Sequence, residues 1–126
     1  MKALLRAGFV SVDEVDGALV VGFADRQFET SAYFMLQRGL DPQDDDGVYL
    51  EHTDPAHGAY ARVSRCALSR NRIELTVDQA AAEALEVDTT FAVELSGDRE
   101  LLSRLQRGLE RFFAGTDCRL EVNADA

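Results

Sequence analysis

Residues that usually carry chemistry are scarce in this sequence. Only two cysteines, Cys66 and Cys118, are present, too few for the dense disulfide framework of a small secreted domain. Far apart and each in a candidate strand, they read as buried thiols of a reducing cytoplasm, with a disulfide between them as the alternative. No apolar run approaches the roughly 20 residues of a membrane-spanning helix. The start, Met1-Lys2-Ala3-Leu4-Leu5-Arg6, has no continuous apolar stretch before it turns polar, so no signal peptide is expected. A P-loop, a G-x-G-x-x-G fingerprint and a G-x-S-x-G nucleophile elbow are all missing. Neither cysteine lies beside a histidine in sequence, and nothing singles out one carboxylate pair for acid–base work. The usual starting points for a catalytic site or a bound cofactor are therefore lacking, and no enzyme activity is expected.

Basic side chains are the other shortage. Against 23 Asp and Glu stand 13 Lys and Arg, a formal net charge of −10. Such a field repels nucleic acid and anionic membrane surfaces, whose phosphates need a basic stripe. It attracts a basic protein and speeds the encounter with it. The plainer reading is that the charge only keeps the protein soluble.

What the chain does have is enough material for a core. It has 126 residues, 46% of them apolar, which suits one domain over residues 1–126 without metal or disulfide support. Residues 1–3 and 123–126 are expected to be loose ends. No internal repeat or low-complexity segment divides it.

The interior starts in the stretch from Val20 to Leu40. The run Ala18 to Ala24 is uniformly apolar, which predicts a strand covered on both faces. In the following run, Tyr33, Met35 and Gln37 point one way and Phe34, Leu36 and Arg38 the other. Upstream, Leu4 to Val12 reads as a first strand, joined to the next by an Asp16-Gly17 hairpin turn. After an acidic loop over Asp41 to Gly47, a strand resumes to Thr53, with Val48, Leu50 and His52 on one face and Tyr49 and Glu51 on the other. His52 to Gly58 reads as a second loop, and Ala59 to Leu68 as one long strand. Ser69 to Arg72 forms a turn, with Asn71 suited to a positive φ, leading into the half-buried strand Ile73 to Val77. Asp78 caps a short helix through Glu86. Phe91, Val93 and Leu95 mark a further strand. Ser96 or Asp98 caps a longer helix whose Leu101, Leu102, Leu105, Leu109, Phe112 and Phe113 form one stripe, stopped by Gly115. Cys118, Leu120 and Val122 suggest a terminal strand. The class expected is α+β, a mainly antiparallel sheet with a short helix and a longer C-terminal helix packed on it.

Two clusters invite a metal reading and neither fits. With Gly47 at the glycine of an EF-hand loop, the first and last ligand positions fall on Pro42 and Thr53, which carry no carboxylate. His52, Asp54 and His57 have ligand chemistry but no helical i, i+4 spacing and no nearby cysteine. No metal and no cofactor are expected. Of the tyrosines, Tyr33 reads as a half-buried sheet residue, while Tyr49 and Tyr60 are equally suited to the sheet or to an interface.

Taken in order, these segments form a pattern. Val21-Gly22-Phe23-Ala24-Asp25, Tyr33-Phe34-Met35-Leu36-Gln37-Arg38, Gln43-Asp44, Tyr49-Leu50-Glu51 and Ala59-Tyr60, closed by a Leu-rich helix ending in Phe112-Phe113, resemble the immunity protein 10 family of bacterial polymorphic toxin systems. The resemblance runs from about Leu5 to Phe113. It is loosest where Asp44 runs almost directly into Gly47 and where Ala61-Arg62 replace a glycine pair. It implies an antitoxin that binds and blocks a cognate toxin, with no enzymatic step, and it gives Phe23, Tyr33, Phe34 and Leu36 a role in the fold. Combined with charge, it places the toxin-binding residues at Asp41, Asp44, Asp45, Asp46, Tyr49, Glu51, Asp54 and Tyr60. The acids would steer a basic toxin, a nuclease being one such target, and the tyrosines would supply contact area in an interface of about 1,600 Å². The competing readings are an acidic oligomeric adaptor or structural module without a toxin partner, and a small hydrolase built on His52, Asp54 and His57.

Overall fold

The structure, a computed structural model, describes residues 3–39, 48–96 and 98–123. Among these the fold is α+β and mainly sheet, with nine strands and two helices. The strands form two sheets where one was expected. The first, in the order β1-β2-β3-β4-β5, is an antiparallel meander of β1 (Phe9–Val15), β2 (Ala18–Ala24), β3 (Tyr33–Gly39), β4 (Val48–His52) and β5 (Asp54–Ala61). The second has the order β8-β7-β6-β9, with β6 (Val63–Ser69), β7 (Arg72–Val77) and β8 (Thr90–Glu94) antiparallel and β9 (Arg119–Asn123) parallel to β6.

Alternation decides which side of each strand is buried. In β2, Leu19, Val21 and Phe23 are buried and the residues between them are half-buried, so the strand is covered fully on one face only. This corrects the expectation of two covered faces: small and branched apolar residues on the outer side, Ala18, Val20 and Ala24, mimic a buried run without being one. The same inward side carries Phe34 and Leu36 of β3 and Val48 and Leu50 of β4. From the second sheet come Cys66, Leu68, Ile73, Leu75, Phe91 and Val93, and all join one core. Phe34 links the sheets: its ring lies 5.2 Å from Phe91, edge to face, and 6.4 Å from Phe23, favourable aromatic geometries on top of the buried area.

The chain passes between the sheets at two places, and both had been expected to be continuous strand. Residues 4–7 run beside β8, with the Leu4 and Ala7 amides donating to Ala92 and Glu94 carbonyls. Gly8 then donates to Ala24 and begins the other sheet. A Cβ on Gly8 would sit 2.5 Å from the Asp25 carbonyl oxygen, so the crossing requires glycine. The second crossing is at Arg62, whose amide donates to the Asp78 carboxylate at 2.8 Å.

Turns follow local chemistry. Asp16 and Gly17 both have positive φ, 50° and 78°, as a two-residue hairpin turn requires. Asn71 does not take positive φ; among the described non-glycine residues Asp16, Glu29, Thr53 and Glu86 do. Asp25 pins the connection into β3, accepting from the amides of Arg26 and Ser31 at 3.0 and 3.1 Å and from the Ser31 hydroxyl. That hydroxyl is the main reason its carboxyl is held down at about 2. The predicted loop from His52 to Gly58 is instead a tight turn at Thr53 followed directly by β5. Asp54-Pro55 had signalled a loop, but an edge strand tolerates proline because its missing N–H faces no partner.

Helix α1 (Gln79–Leu85) is capped by Asp78, whose carboxylate accepts from the Ala81 amide, and it ends at Glu86 in the left-handed region. It packs on β4 and β5. Helix α2 (Arg99–Phe112) is capped by Asp98 and buries Leu105, Leu109 and Phe112, with Leu101 and Leu102 half-buried. It contacts β1, β2 and β9, and at Gly108 a Cβ would lie 2.7 Å from a Val12 methyl. Arg38 closes its C-terminal end by donating to the carbonyls of Phe112 and Ala114 at 2.6 and 2.9 Å. Gly115, at φ 77°, follows.

Asp78 thus serves two elements at once. Asp78→Ala is expected to lower unfolding free energy by about 1–2 kcal/mol, because both the helix cap and the amide at the sheet crossing lose their acceptor. Urea denaturation checks this; an unchanged midpoint contradicts the double role.

Candidate functional site

Two sheets sharing one core leave two outer faces, and these differ in kind. On the outer face of the four-stranded sheet, acids and arginines are interleaved. Arg65 pairs with Glu121 at 2.8 Å and with Glu74 at 3.6 Å, Arg72 with Glu74 at 3.6 Å, and Arg119 with Glu121 at 3.1 Å. Each charge on this grid has an opposite charge beside it.

On the outer face of the five-stranded sheet the described residues form no such grid. Its cross-strand rows are Ser11, Gly22, Met35, Glu51, Gly58 and Asp13, Val20, Gln37, Tyr49, Tyr60. At one end lies the row Phe9, Ala24, Tyr33, at the other Val15, Ala18, Gly39. No Lys, Arg or His lies in these rows, and the carboxylates there are Asp13 and Glu51. Tyr60 is 63% exposed, Val15 52% and Phe9 36%. The face is aromatic, aliphatic and acidic.

Glu51 organises its centre. The hydroxyls of Tyr33 and Tyr49 both donate to its carboxylate, one to each oxygen, the Tyr49 contact measuring 2.8 Å. Tyr33 reaches Glu51 across the β3–β4 pair, and Tyr49 lies two residues before it on β4, so both share its side of the sheet. A Cβ on Gly58, the cross-strand partner of Glu51, would sit 2.2 Å from the Tyr49 hydroxyl. Glycine there leaves room for the phenol to reach the carboxylate. The Tyr60 ring packs edge to face on Tyr49 at 5.5 Å. Burial first, then the hydrogen bond and charge of Glu51, push the Tyr33 phenol well above its ordinary range. For Tyr49 the hydrogen bond to Glu51 is the larger cause and burial the second.

The structure therefore brings Tyr49, Glu51 and Tyr60 into one cluster. Asp54 stands exposed past the Thr53 turn, accepting from the Ala56 amide at 2.9 Å. Asp41, Asp44, Asp45 and Asp46 lie outside the described residues. Tyr33 is half-buried as expected, yet its hydroxyl belongs to the cluster. Pairing consecutive strands antiparallel would have placed it there, because the β3–β4 connection puts Tyr33 opposite the end of β4.

His52 and His57 go elsewhere. His52 Nδ1 lies 3.3 Å from the Leu85 carbonyl oxygen and His57 Nε2 3.0 Å from Glu86, so both dock α1 onto its sheet. No group of three or more His, Cys, Asp or Glu among the described residues is placed to hold a metal ion. Both cysteines are free thiols. Burial pushes the Cys66 thiol far up and Cys118 up to about 11, so neither is an activated nucleophile. A groove of about 580 Å³ runs along α2 beside Arg99, Arg104 and Arg107 and is lined by no histidine or cysteine. No helix of the described residues is long and apolar enough to cross a membrane.

An aromatic face with few charges is the kind of surface that recognises another protein. The chain belongs to the immunity protein 10 family, whose family model matches residues 5–103, from the crossing segment through the first turn of α2. Membership supports a toxin-neutralising role, implies a toxin partner, and places the chain in a generally non-catalytic family. Comparison with curated proteins and with solved structures gives no match.

The two shifted phenols allow a direct check of the cluster. Their folded pKa values lie above the unfolded one, so the stability they contribute is fully present below about pH 10 and is lost as pH rises through the folded values. In an absorbance titration of phenolate, Tyr33 and Tyr49 are expected to resist ionisation beyond that range. Glu51→Gln should return Tyr49 towards it and Tyr33 only in part, since burial is the main cause for Tyr33. Identical titrations of the two proteins contradict the cluster.

Proposed function

We propose that this protein neutralises a bacterial polymorphic toxin by covering it with the outer face of its five-stranded sheet. The supporting observation is the asymmetry of the two outer faces: one has an arginine beside each carboxylate, the other has acids and tyrosines with no cation. The exposed ring of Tyr60 and the half-buried ring of Tyr49 give contact area at low entropic cost. Glu51 and Asp54, together with Asp41, Asp44, Asp45 and Asp46 in the connection between β3 and β4, steer a basic toxin surface towards that face. A nuclease is a natural target, because acids at such an interface stand in for nucleic-acid phosphates. Blocking is stoichiometric and takes place in the cytoplasm of the producing cell, without a cofactor.

The test begins with co-expression of the protein and the toxin domain encoded beside it, followed by binding of the purified pair at low and physiological salt. Growth should be rescued and a tight one-to-one complex should form. Replacing Asp44, Asp45 and Asp46 together by lysine should slow association about tenfold or more at low salt. An unchanged association rate and salt dependence would remove the steering role. Failure to bind or protect, with the toxin folded, would leave the adaptor reading in its place.

A further inference from the structure

Among the described residues, Glu51 is a carboxylate without a countercharge at the centre of a face whose rows hold no cation. Its two partners are phenols, which satisfy part of its hydrogen-bonding capacity and leave its charge uncancelled. Glu74 and Glu121, on the opposite outer face, are each beside arginine, so the fold supplies cations to sheet carboxylates elsewhere and not here. Two phenols donating to separate oxygens fix the carboxylate plane, and each oxygen keeps a lone pair for another donor. Beside it, Tyr49 and Tyr60 offer aromatic surface, with Tyr60 63% exposed.

We propose that Glu51 is the specificity anchor of the toxin-binding face and receives an arginine side chain of the toxin, whose guanidinium stacks on Tyr60. This inference rests on the immunity reading above and names the partner's chemistry. Arginine fits better than lysine because its planar fork matches a fixed carboxylate and lies flat on an aromatic ring, whereas an ammonium is a compact, strongly hydrated charge. A second copy of this chain fits poorly, since joining two such faces would set Glu51 and Asp13 against like charges with no cation from either side.

Binding of the purified toxin domain encoded beside this gene is measured for the wild type, Glu51→Gln, Tyr60→Ala, Tyr60→Phe and, as a control on exposed α2, Glu110→Gln. Glutamine keeps the shape of the site but removes the charge and one of the two acceptor oxygens, and circular dichroism confirms that each variant is folded. Glu51→Gln is expected to weaken binding about 30-fold or more, through faster dissociation. Tyr60→Ala should weaken it by roughly 3- to 10-fold, with Tyr60→Phe and Glu110→Gln within about twofold of the wild type. A wild-type complex that Glu51→Gln leaves within about threefold overturns the anchor while leaving immunity standing. A wild type that neither binds nor protects overturns both. A dimer in sedimentation that Tyr60→Ala dissociates assigns the face to self-association and overturns the proposal.

Discussion

The contact of Phe34 with Phe91 and Phe23 is the constraint on which the rest of this architecture depends. It ties the middle strand of one sheet to the edge of the other and makes their inner faces a single interior. Once Phe34, Leu36 and Leu50 point inward, the period-two rule leaves no choice for Tyr33, Met35, Tyr49 and Glu51, which must share the outer face. A shift of register by one residue would bury Glu51 and expose Phe34, so the core that stabilises the fold also holds the cluster in place. The proposed toxin-binding face is the other side of the same strands.

How the two outer faces are finished separates their roles. The grid of Arg65, Arg72 and Arg119 with Glu74 and Glu121 is suited to water: its charges, half-buried except for the exposed Arg119, are mutually compensated, and solvent-screened pairs of this kind add little to stability. The opposite face carries half-buried apolar side chains and a carboxylate held by neutral donors. Exposed apolar patches of this kind mark interaction sites more often than they mark waste. Family membership supplies the partner class, a toxin, and the described face is acidic and aromatic.

Much of the fold was legible in the residues. The Asp16-Gly17 turn, the caps at Asp78 and Asp98, the stripe of α2 and the alternation in β3, β4 and β7 are local signals, and each corresponds to what the chain does. The two sheet crossings were not legible, because alternation continues through Gly8 and Arg62 although the strand changes partners there. Division into two sheets is a long-range fact carried by Leu4 with Ala92 and by Arg62 with Asp78, far apart along the chain. The tyrosine–glutamate cluster was legible in part. Tyr49, Glu51 and Tyr60 stood out by type and spacing, but Tyr33 enters through a cross-strand hydroxyl contact, and the room for Tyr49 depends on Gly58 having no side chain. His52 and His57 drew attention by composition and turned out to face α1, a choice made by packing.

The central claim, that the toxin meets the cation-free outer face, is tested most directly by hydroxyl-radical footprinting of the protein alone and in its toxin complex. Methionine and tyrosine side chains report on that face, and leucine and valine in β9 report on the rest of the molecule, without any mutation. The account predicts that oxidation of Met35, Tyr49 and Tyr60 falls together on complex formation, while Leu120 and Val122 in β9 keep their reactivity. Protection of β9 and α2, with Met35 and Tyr60 still oxidised at their free rates, would place the toxin on the other side of the molecule and contradict it.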